Sequence, residues 1–310
     1  MQVVILSKPG WHADELCRAL AERGHAARLL PYESLVARFD HAVALASEGA
    51  AVLDADVVLA RFIPAGSLEQ IIYRVDALHS IEDHGVPVVN SPRAIERSVD
   101  KFYTDARLRE AGLPTPETVV TERADEAMAA IRAMLEDNAP PGTERAVVIK
   151  PIFGSMGHGI VRVSDPDVAF RVVQSLDQTR PVFYVQRAID SGGRDVRAFV
   201  VGGRVLGAIE RRAKSGDWRT NVSRGGGARA FELPAAWEAL AIRAAAAIGA
   251  DYAGVDLLPS NDGGVFVLEV NGVPGWQGLQ HATGIDVAGA IVDYVTDRVG
   301  ERPSVAAMPA

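Results

Sequence analysis

The sequence predicts an α/β domain followed by an α+β region built on antiparallel hairpins. Three observations predict it. Over the first hundred residues, apolar runs of strand length alternate with helical periodicities, which points to a parallel, doubly wound sheet. From about residue 93 that alternation gives way to paired apolar runs joined by glycine-rich turns. No G-x-G-x-x-G follows the first apolar run, so the dinucleotide fingerprint is absent.

Taken in order, "QVVILS" is apolar without alternation and reads as a buried strand. "HADELCRALAERGH" is an amphipathic helix ending at Gly24, and Cys17 within it reads as a small buried hydrophobe. "AARLLPY" and "ADVVLARF" are further strands, "GSLEQIIYRVDALHSIEDHG" a long helix, and "VPVVNSP" a short strand stopped by Pro92. The segment "SPRAIERSVDKFYTDARLREAGLPTPETVV" predicts a helix, a Gly-Leu-Pro-Thr-Pro break and a strand. "RADEAMAAIRAMLEDN" is helical, "AVVIKP" a strand, "IFGSMGHGIVRV" a glycine-rich loop leading into a strand, and "DVAFRVVQSLDQ" a helix. "VFYVQRAI", "DVRAFVVGGRVLGAIERRA" and "ARAFEL" are strands, with Gly202-Gly203 marking a tight hairpin and Arg204 a solvated residue at its tip. "AAWEALAIRAAAAIG" is a helix, "AGVDLLPSNDGGVFVLEVNG" a hairpin, and a last helix begins near Asp286.

Composition removes several classes. With 48% hydrophobic and 23% charged residues over 310, the chain has ample material for a core. No run of about 18 apolar residues is present, so no membrane partner is expected. The start lacks a basic region and a cleavage site, and the single cysteine cannot form an internal disulfide; both point to a cytoplasmic protein. A net charge of −8 argues against a nucleic-acid partner.

The C-terminal hairpin carries an acid in each strand, Asp256 and Glu269. With Asp262-Gly263 as the turn, Asn261 pairs with Gly264, and counting back sets Asp256 directly opposite Glu269. Like charges so placed, roughly 4.5–5.5 Å apart at Cβ, are destabilising. Asn271, two residues on, shares the face. Two readings stand: an exposed charged face, or a hard cation such as Mg²⁺ held by oxygen ligands.

Gly154, Gly157 and Gly159 form a loop whose amides can wrap phosphate oxygens, with Lys150 at the end of the preceding strand. The G-K-[ST] ending of a Walker A motif is missing, and a bare glycine-rich hairpin reads equally well. Lys101 opens a helix and on its own reads as a solvated lysine. The stretch from Arg194 to Arg224 is dense in arginine, suited to bidentate anion binding, though some of these residues must be solvated strand ends.

Together these stretches resemble the ATP-grasp superfamily in its RimK-type branch of amino-acid ligases, over about residues 90 to 296. The resemblance rests on "VIKPIFGSMGHGIVRV", "GGRDVRAFVVGGRVLGAIERRAKSGDWRTNVSRGGGA", "YAGVDLL", "VFVLEVNGVPG" and "TGIDVAG" in that order. It implies a pre-ATP-grasp parallel-sheet domain over 1–92, then a two-lobed ATP-grasp fold. The central lobe with the glycine-rich loop would span 93–185, the C-terminal lobe with the metal site 186–300, and a flexible tail 301–310. It implies ATP contacts from Lys101 and Lys150, from the loop Gly154, Ser155, Met156, Gly157, His158 and Gly159, and from Gln186 and Arg187 at the connection between the lobes. Asp195 would lie near the ribose. Arg219 and Asn221 would lie near the phosphates and, with Arg224, at the reacting groups. Asp256, Glu269 and Asn271 would be the magnesium ligands, for two ions, with Mn²⁺ able to substitute.

The implied reaction is ATP-dependent, ADP-forming amide formation through an acyl phosphate. L-Glutamate is the expected amine, and a protein C-terminus or small cofactor carboxylate the acceptor. Lysine-biosynthesis and glutathione-synthetase types, a kinase and a non-catalytic ATP-binding module are the alternatives. The branch implies a homo-oligomer, dimer or tetramer. After Asn271 the chain reads "GVPGWQGLQHATG", a departure from the branch pattern that assigns Trp276 and Gln280 to the acceptor site.

Overall fold

The computed structural model of the chain describes residues 1–40, 42–136, 143–154, 159–214 and 227–300. The expected tail, 301–310, lies outside them. The chain opens with β1 (Gln2–Leu6), α1 (Trp11–Glu22) and β2 (Ala26–Leu30). β3 (Leu35–Phe39), β4 (Val43–Ser47) and β5 (Ala50–Ala51) then form a small antiparallel sheet. β6 (Val57–Ala60), α2 (Leu68–Asp83) and β7 (Val88–Val89) complete a four-stranded parallel sheet in the order β2-β1-β6-β7. The parallel sheet is the one the sequence predicts; the small sheet is not. Its strands expose Val36 and Phe39, so no clean period-two signal marks them.

α1 buries Ala13, Leu16, Ala19 and Leu20 at helical spacing against β1 and the C-terminal helix of the chain. Cys17 is half-buried at the edge of that cluster. α2 starts on a capping box, with the Ser67 hydroxyl accepting from the Gln70 amide and the Gln70 side chain accepting from the Ser67 amide. It covers the other face of the sheet through Ala77, Leu78 and Ile81.

Two helices replace the single one expected after Pro92: α3 (Pro92–Val99) and α4 (Lys101–Glu110). They break at Asp100, whose extended backbone and carboxylate, accepting from the Tyr103 amide at 3.1 Å, cap the second helix. β8 (Thr118–Thr121), α5 (Ala124–Glu136), β9 (Thr143–Lys150), β10 (Val161–Val163), α6 (Pro166–Asp177) and β11 (Phe183–Ile189) follow. The four strands form an antiparallel sheet, β10-β9-β11-β8, backed by α5 and α6 through Ile131, Val147, Val173 and Val185. The expected lobe junction at 185/186 falls inside β11.

The last unit contains β12 (Arg194–Val201), β13 (Arg204–Arg212), β14 (Gly227–Ala230), α7 (Ala235–Ile248), β15 (Tyr252–Pro259), β16 (Val265–Asn271), α8 (Gln277–Thr283) and α9 (Val287–Gly300). Its sheet runs β14-β13-β12-β15-β16. One face packs on α7, whose Ala241, Ala244 and Ala245 let helix and sheet approach closely. On the other, Phe199 and Ile209 join the core shared with β1, α1 and α9. Asn90, fully buried just past β7, ties the N-terminal domain to this sheet. Its side chain donates to the Tyr252 and Gly272 carbonyls and accepts from the Asp251 and Tyr252 amides.

Candidate functional site

Cross-strand register builds the site on the face of the C-terminal sheet opposite α7. Asp195 on β12 faces Arg211 on β13; Arg197 on β12 faces Asp256 on β15; Asp256 faces Glu269 on β16; and Gly254 faces Asn271. The sequence expectation that Asp256 and Glu269 oppose each other is met. The turn differs from the expected one. Pro259 pairs with Val265, leaving a five-residue connection over 260–264, closed by the Ser260 amide on the Gly264 carbonyl at 2.9 Å. Asn261 therefore does not pair with Gly264. A bulge between Val267 and Glu269 restores the register, and Leu268 is its extra residue.

That bulge decides what lies where. Val265, Val267 and Val270 all enter the core, a spacing of two and then three that strict alternation forbids. Leu268 and Glu269 consequently both line the cavity. At Gly254 a Cβ would lie 3.0 Å from the Pro274 side chain and 3.6 Å from Arg197, so any larger residue would require Pro274 to give way.

The cavity, about 830 Å³, runs between the two sheets and reaches the N-terminal domain. Lys150 and Lys101 enter from the central unit. The Lys150 ammonium donates to Gln186 Oε1 at 2.6 Å and lies 5.7 Å from the Tyr184 ring centre. Gln186 is itself fixed by Thr118 at 2.9 Å and Tyr184 at 3.0 Å, and the Tyr184 hydroxyl donates to Asp105 at 2.5 Å. Burial pulls Lys150 down to about 8, although Glu269 pushes it back up; Lys101 is lowered for the same reason, again opposed by Glu269. Lys101 is held at the start of the glycine-rich loop by the Gly154 carbonyl at 3.0 Å and the Ile152 carbonyl at 3.4 Å.

The sequence-predicted residues thus converge in part. Lys101, Lys150, Gly154, Gln186, Arg187, Asp195, Asp256, Glu269 and Asn271 all border this one cavity. Gln186 and Arg187 lie within β11 and not in a connection; the Arg187 guanidinium turns away to Glu117 at 2.7 Å and the Met134 carbonyl at 2.7 Å. Gly159 closes the loop with φ +70°. Ser155, Met156, Gly157 and His158, and likewise Arg219, Asn221 and Arg224, lie outside the described residues. Trp276 does not shape the cavity. It is fully buried against Phe199, His12 and Arg61, because an indole of this size completes the core shared by the first and last units. Gln280 is turned to Glu15 at 3.0 Å. Gly275 and Gln277, the neighbours of Trp276, border the cavity instead.

Arg197 has a place that the sequence reading did not give it. It grips Asp256 in a bidentate pair at 2.6 and 2.7 Å; Arg211 grips Asp195 at 2.6 Å twice and reaches Asp256 at 2.9 Å. Burial pushes Asp256 up, but the two guanidiniums outweigh it and hold the carboxyl at about 2. Only the sheet order, with β12 beside β15, brings Arg197 to Asp256. Lys8, His12 and Arg61 of the N-terminal domain, also unassigned from the sequence, line the far end. Their signal was legible: Lys8 and Arg61 follow β1 and β6, and ligands bind at the carboxyl ends of parallel strands.

Chemically, the cavity offers two lysines able to meet anionic groups and apolar lining from Val148 and Ile160 of the central sheet and Leu258 and Leu268 of the C-terminal one. Among the described residues no group of three or more His, Cys, Asp or Glu side chains gathers for a metal. Asp256, Glu269 and Asn271 offer oxygen donors only, and Asp256 is already engaged by arginine. That set fits Mg²⁺, which is held by one or two carboxylates together with substrate phosphates, better than a resident ion needing a complete protein cage.

Comparison with known proteins agrees with this geometry. Residues 98–295 match a family model described as a RimK-like ATP-grasp domain. The chain is 33% identical to the tetrahydromethanopterin:α-L-glutamate ligase of Methanosarcina acetivorans, over 94% of this chain and 97% of that one. It is 32% identical to a probable α-L-glutamate ligase of Sodalis glossinidius, over 98% and 100%. Among solved structures, the fold is similar to the RimK domain protein ATP-grasp from Sphaerobacter thermophilus, with TM-score 0.70, 24% identity, and 96% and 100% of the two chains covered. It is also similar to the ATP-grasp ligase PsnB complexed with a phosphomimetic variant of its minimal precursor, Mg and ADP, with TM-score 0.72, 21% identity, and 96% and 98% covered.

Proposed function

From a chain that belongs to the RimK-like ATP-grasp family, and so is a carboxylate–amine ligase, we propose the finer reading that it is ADP-forming and adds L-glutamate to an acceptor carboxylate. The observation that carries this is the opposition of Lys101 and Lys150 to Asp256, Glu269 and Asn271 across one cavity with apolar lining beside them. The names of the curated relatives, α-L-glutamate ligases, support the choice of amine.

In this reading the base lies on the apolar lining and the triphosphate lies along Lys150 and Lys101. Gln186 positions Lys150, so the cation is aimed before nucleotide arrives. A carboxylate oxygen of the acceptor attacks the γ-phosphorus, and the bond to the β-phosphate oxygen breaks, giving ADP and an acyl phosphate. The amine nitrogen then attacks the acyl carbon, phosphate departs and the amine loses a proton. Transfer of this kind needs alignment and charge neutralisation more than covalent help. Mg²⁺, held by Glu269, Asn271 and Asp256, would neutralise phosphate charge when bound. Arg197 and Arg211 stand beside Asp256, where they orient the carboxylate and present cationic edges to anionic groups entering the cleft. Arg219, Asn221 and Arg224 are assigned to the reacting end by family resemblance. We place the enzyme in the cytoplasm as a homo-oligomer; its helices include none long and apolar enough to cross a membrane among the described residues.

The test is product analysis: ATP, Mg²⁺, glutamate and a panel of acceptor acids, read by ADP formation and by mass. Glutamylated acceptor with stoichiometric ADP is the expected result. ADP without any need for an amine indicates a kinase, and nucleotide binding with no turnover indicates a binding module; either overturns the reading.

A further inference from the structure

Asp105 is a buried acid that the mechanism above leaves unused. It lies on α4 one helical turn after Lys101, so one helix delivers both side chains to the same side. The buried acids Asp195, Glu210 and Asp256 each sit in an arginine pair. Among the described residues Asp105 forms no salt bridge; the Tyr184 hydroxyl meets its carboxylate instead, at 2.5 Å. Arg109, one turn further along α4, is turned to the Thr115 and Pro116 carbonyls at 3.2 and 2.8 Å.

That hydroxyl belongs to a chain of hydrogen bonds with a single direction. The Lys150 ammonium can only donate, so the atom it meets at 2.6 Å is the Gln186 amide oxygen. The amide nitrogen in turn donates to the Thr118 hydroxyl at 2.9 Å and to the Tyr184 hydroxyl at 3.0 Å. The Tyr184 proton is thereby directed onto Asp105, where an ionised carboxylate is the acceptor that ends the chain. Register supplies the close approach: Tyr184 faces Lys150 across β11 and β9, and Gln186 faces Thr118 across β11 and β8. Lys150 and Gln186 line the cavity, whereas Asp105 and Tyr184 stand buried behind them, where water does not compete for the bonds. The charged and titratable groups facing Lys150 are Glu269 on β16, Asp105 and Lys101 on α4, and Tyr184 on β11. Burial lowers Lys150, and Glu269 and then Asp105 push it back up; burial raises Asp105, against the Tyr184 hydroxyl and Lys150.

We propose that Asp105 is a positioning residue of the nucleotide site: through Tyr184 and Gln186 it fixes the amide oxygen that aims Lys150, and it supplies that ammonium with a buried counter-charge. The proposal rests on the reading of the cavity as a nucleotide site and adds to it an acid that touches no nucleotide. Glu269 is assigned to Mg²⁺ in that reading, which leaves Asp105 as the acid dedicated to Lys150.

The experiment measures the affinity of the full chain for ADP with Mg²⁺ by titration calorimetry at pH 7 and pH 9, in wild type, Asp105→Asn, Tyr184→Phe and the double variant. Asp105→Asn keeps an acceptor for Tyr184 and removes the charge. It is expected to lose less than about twofold at pH 7 and about threefold to tenfold at pH 9, because Lys150 then gives up its proton about half to one pH unit lower. Tyr184→Phe is expected to show the same pattern, since a buried carboxyl deprived of its donor protonates. In that background Asp105→Asn is expected to change affinity by less than about twofold at either pH, the mark of two residues acting through one chain. A packing role would instead lower affinity by the same factor at both pH values. Equal loss at both, no loss at either, or additive losses each overturn the proposal. Loss of cooperative thermal unfolding in both single variants overturns it too, by assigning the chain of bonds to the fold alone. Wild type that takes up no ADP refutes the nucleotide-site reading itself; uptake by wild type with unshifted variants refutes only the role of Asp105.

Discussion

Asn90 holds Tyr252 by both of its backbone groups: Asn90 Oδ1 accepts the Tyr252 amide at 3.1 Å and Nδ2 donates to the Tyr252 carbonyl at 2.7 Å. The same amide bonds Asp251 N and Gly272 O at 2.6 Å each, so one fully buried side chain joins the N-terminal domain to both strands of the β15–β16 hairpin. Replacing Asn90 by Ala orphans buried donors and acceptors, at a cost of about 1–3 kcal/mol for each group left unpaired. With four backbone groups losing their partner, Asn90→Ala is expected to lower stability by about 4 kcal/mol or more in urea titration. Asn90→Asp fares no better, because it places an acceptor against two carbonyls.

Asp256 and Glu269 differ in what their removal exposes. Asp256→Ala strands Arg197 and Arg211 without their shared carboxylate, and breaking such a buried pair costs about 3–5 kcal/mol. Glu269 lies at the more open end of the register pair. Glu269→Gln is expected to abolish ADP formation with little change in melting temperature, whereas Asp256→Ala loses both activity and stability. Calorimetry beside an ADP assay separates them. Full activity in Glu269→Gln would falsify the metal assignment.

Lys150, lowered to about 8 by burial despite Glu269, titrates near working pH. In the proposed reading its charged form binds phosphate, so nucleotide affinity is expected to fall as pH rises from 7 to 9, with net proton uptake on binding near pH 8. Titration calorimetry in buffers of different ionisation enthalpy reads the uptake directly. In Lys150→Met, affinity drops and both the pH dependence and the uptake disappear.

His12 is lowered to about 4 by burial and by Arg61. Its folded-state value lies below its ordinary one. The stability that follows from keeping it neutral is fully present above about 6.5 and is lost as pH falls toward 4. Urea midpoints at pH 7 and pH 4.5 should diverge more for wild type than for His12→Gln, whose amide can still accept the Trp276 N–H.

Leu268 tests the bulge. As the extra residue it adds an apolar wall beside Glu269 without changing the cross-strand partners Asp256–Glu269 and Gly254–Asn271. Leu268→Ala is expected to raise the KM for ATP by about threefold to tenfold and leave the fold intact; that is about 0.6–1.4 kcal/mol, roughly half of the 1.5–3 kcal/mol that full burial of a leucine contributes. An unchanged KM would move the base elsewhere in the cavity.

The sequence by itself determined the parallel N-terminal sheet and the pairing of the β15 and β16 runs into one hairpin. These follow from local periodicity and turn chemistry, where partners are close in sequence; the opposition of Asp256 to Glu269 agrees with the count along the hairpin only because the Leu268 bulge offsets the one-residue register shift made by the longer connection. Tertiary structure alone decided that Arg197 grips Asp256, that Leu268 interrupts the hairpin, and that Trp276 is core and not cavity wall. These depend on sheet order and on packing between units distant in the chain, such as Arg61 on Trp276. No single-segment pattern encodes those contacts, because a strand's periodicity states which residues share a face but not which strand lies beside it.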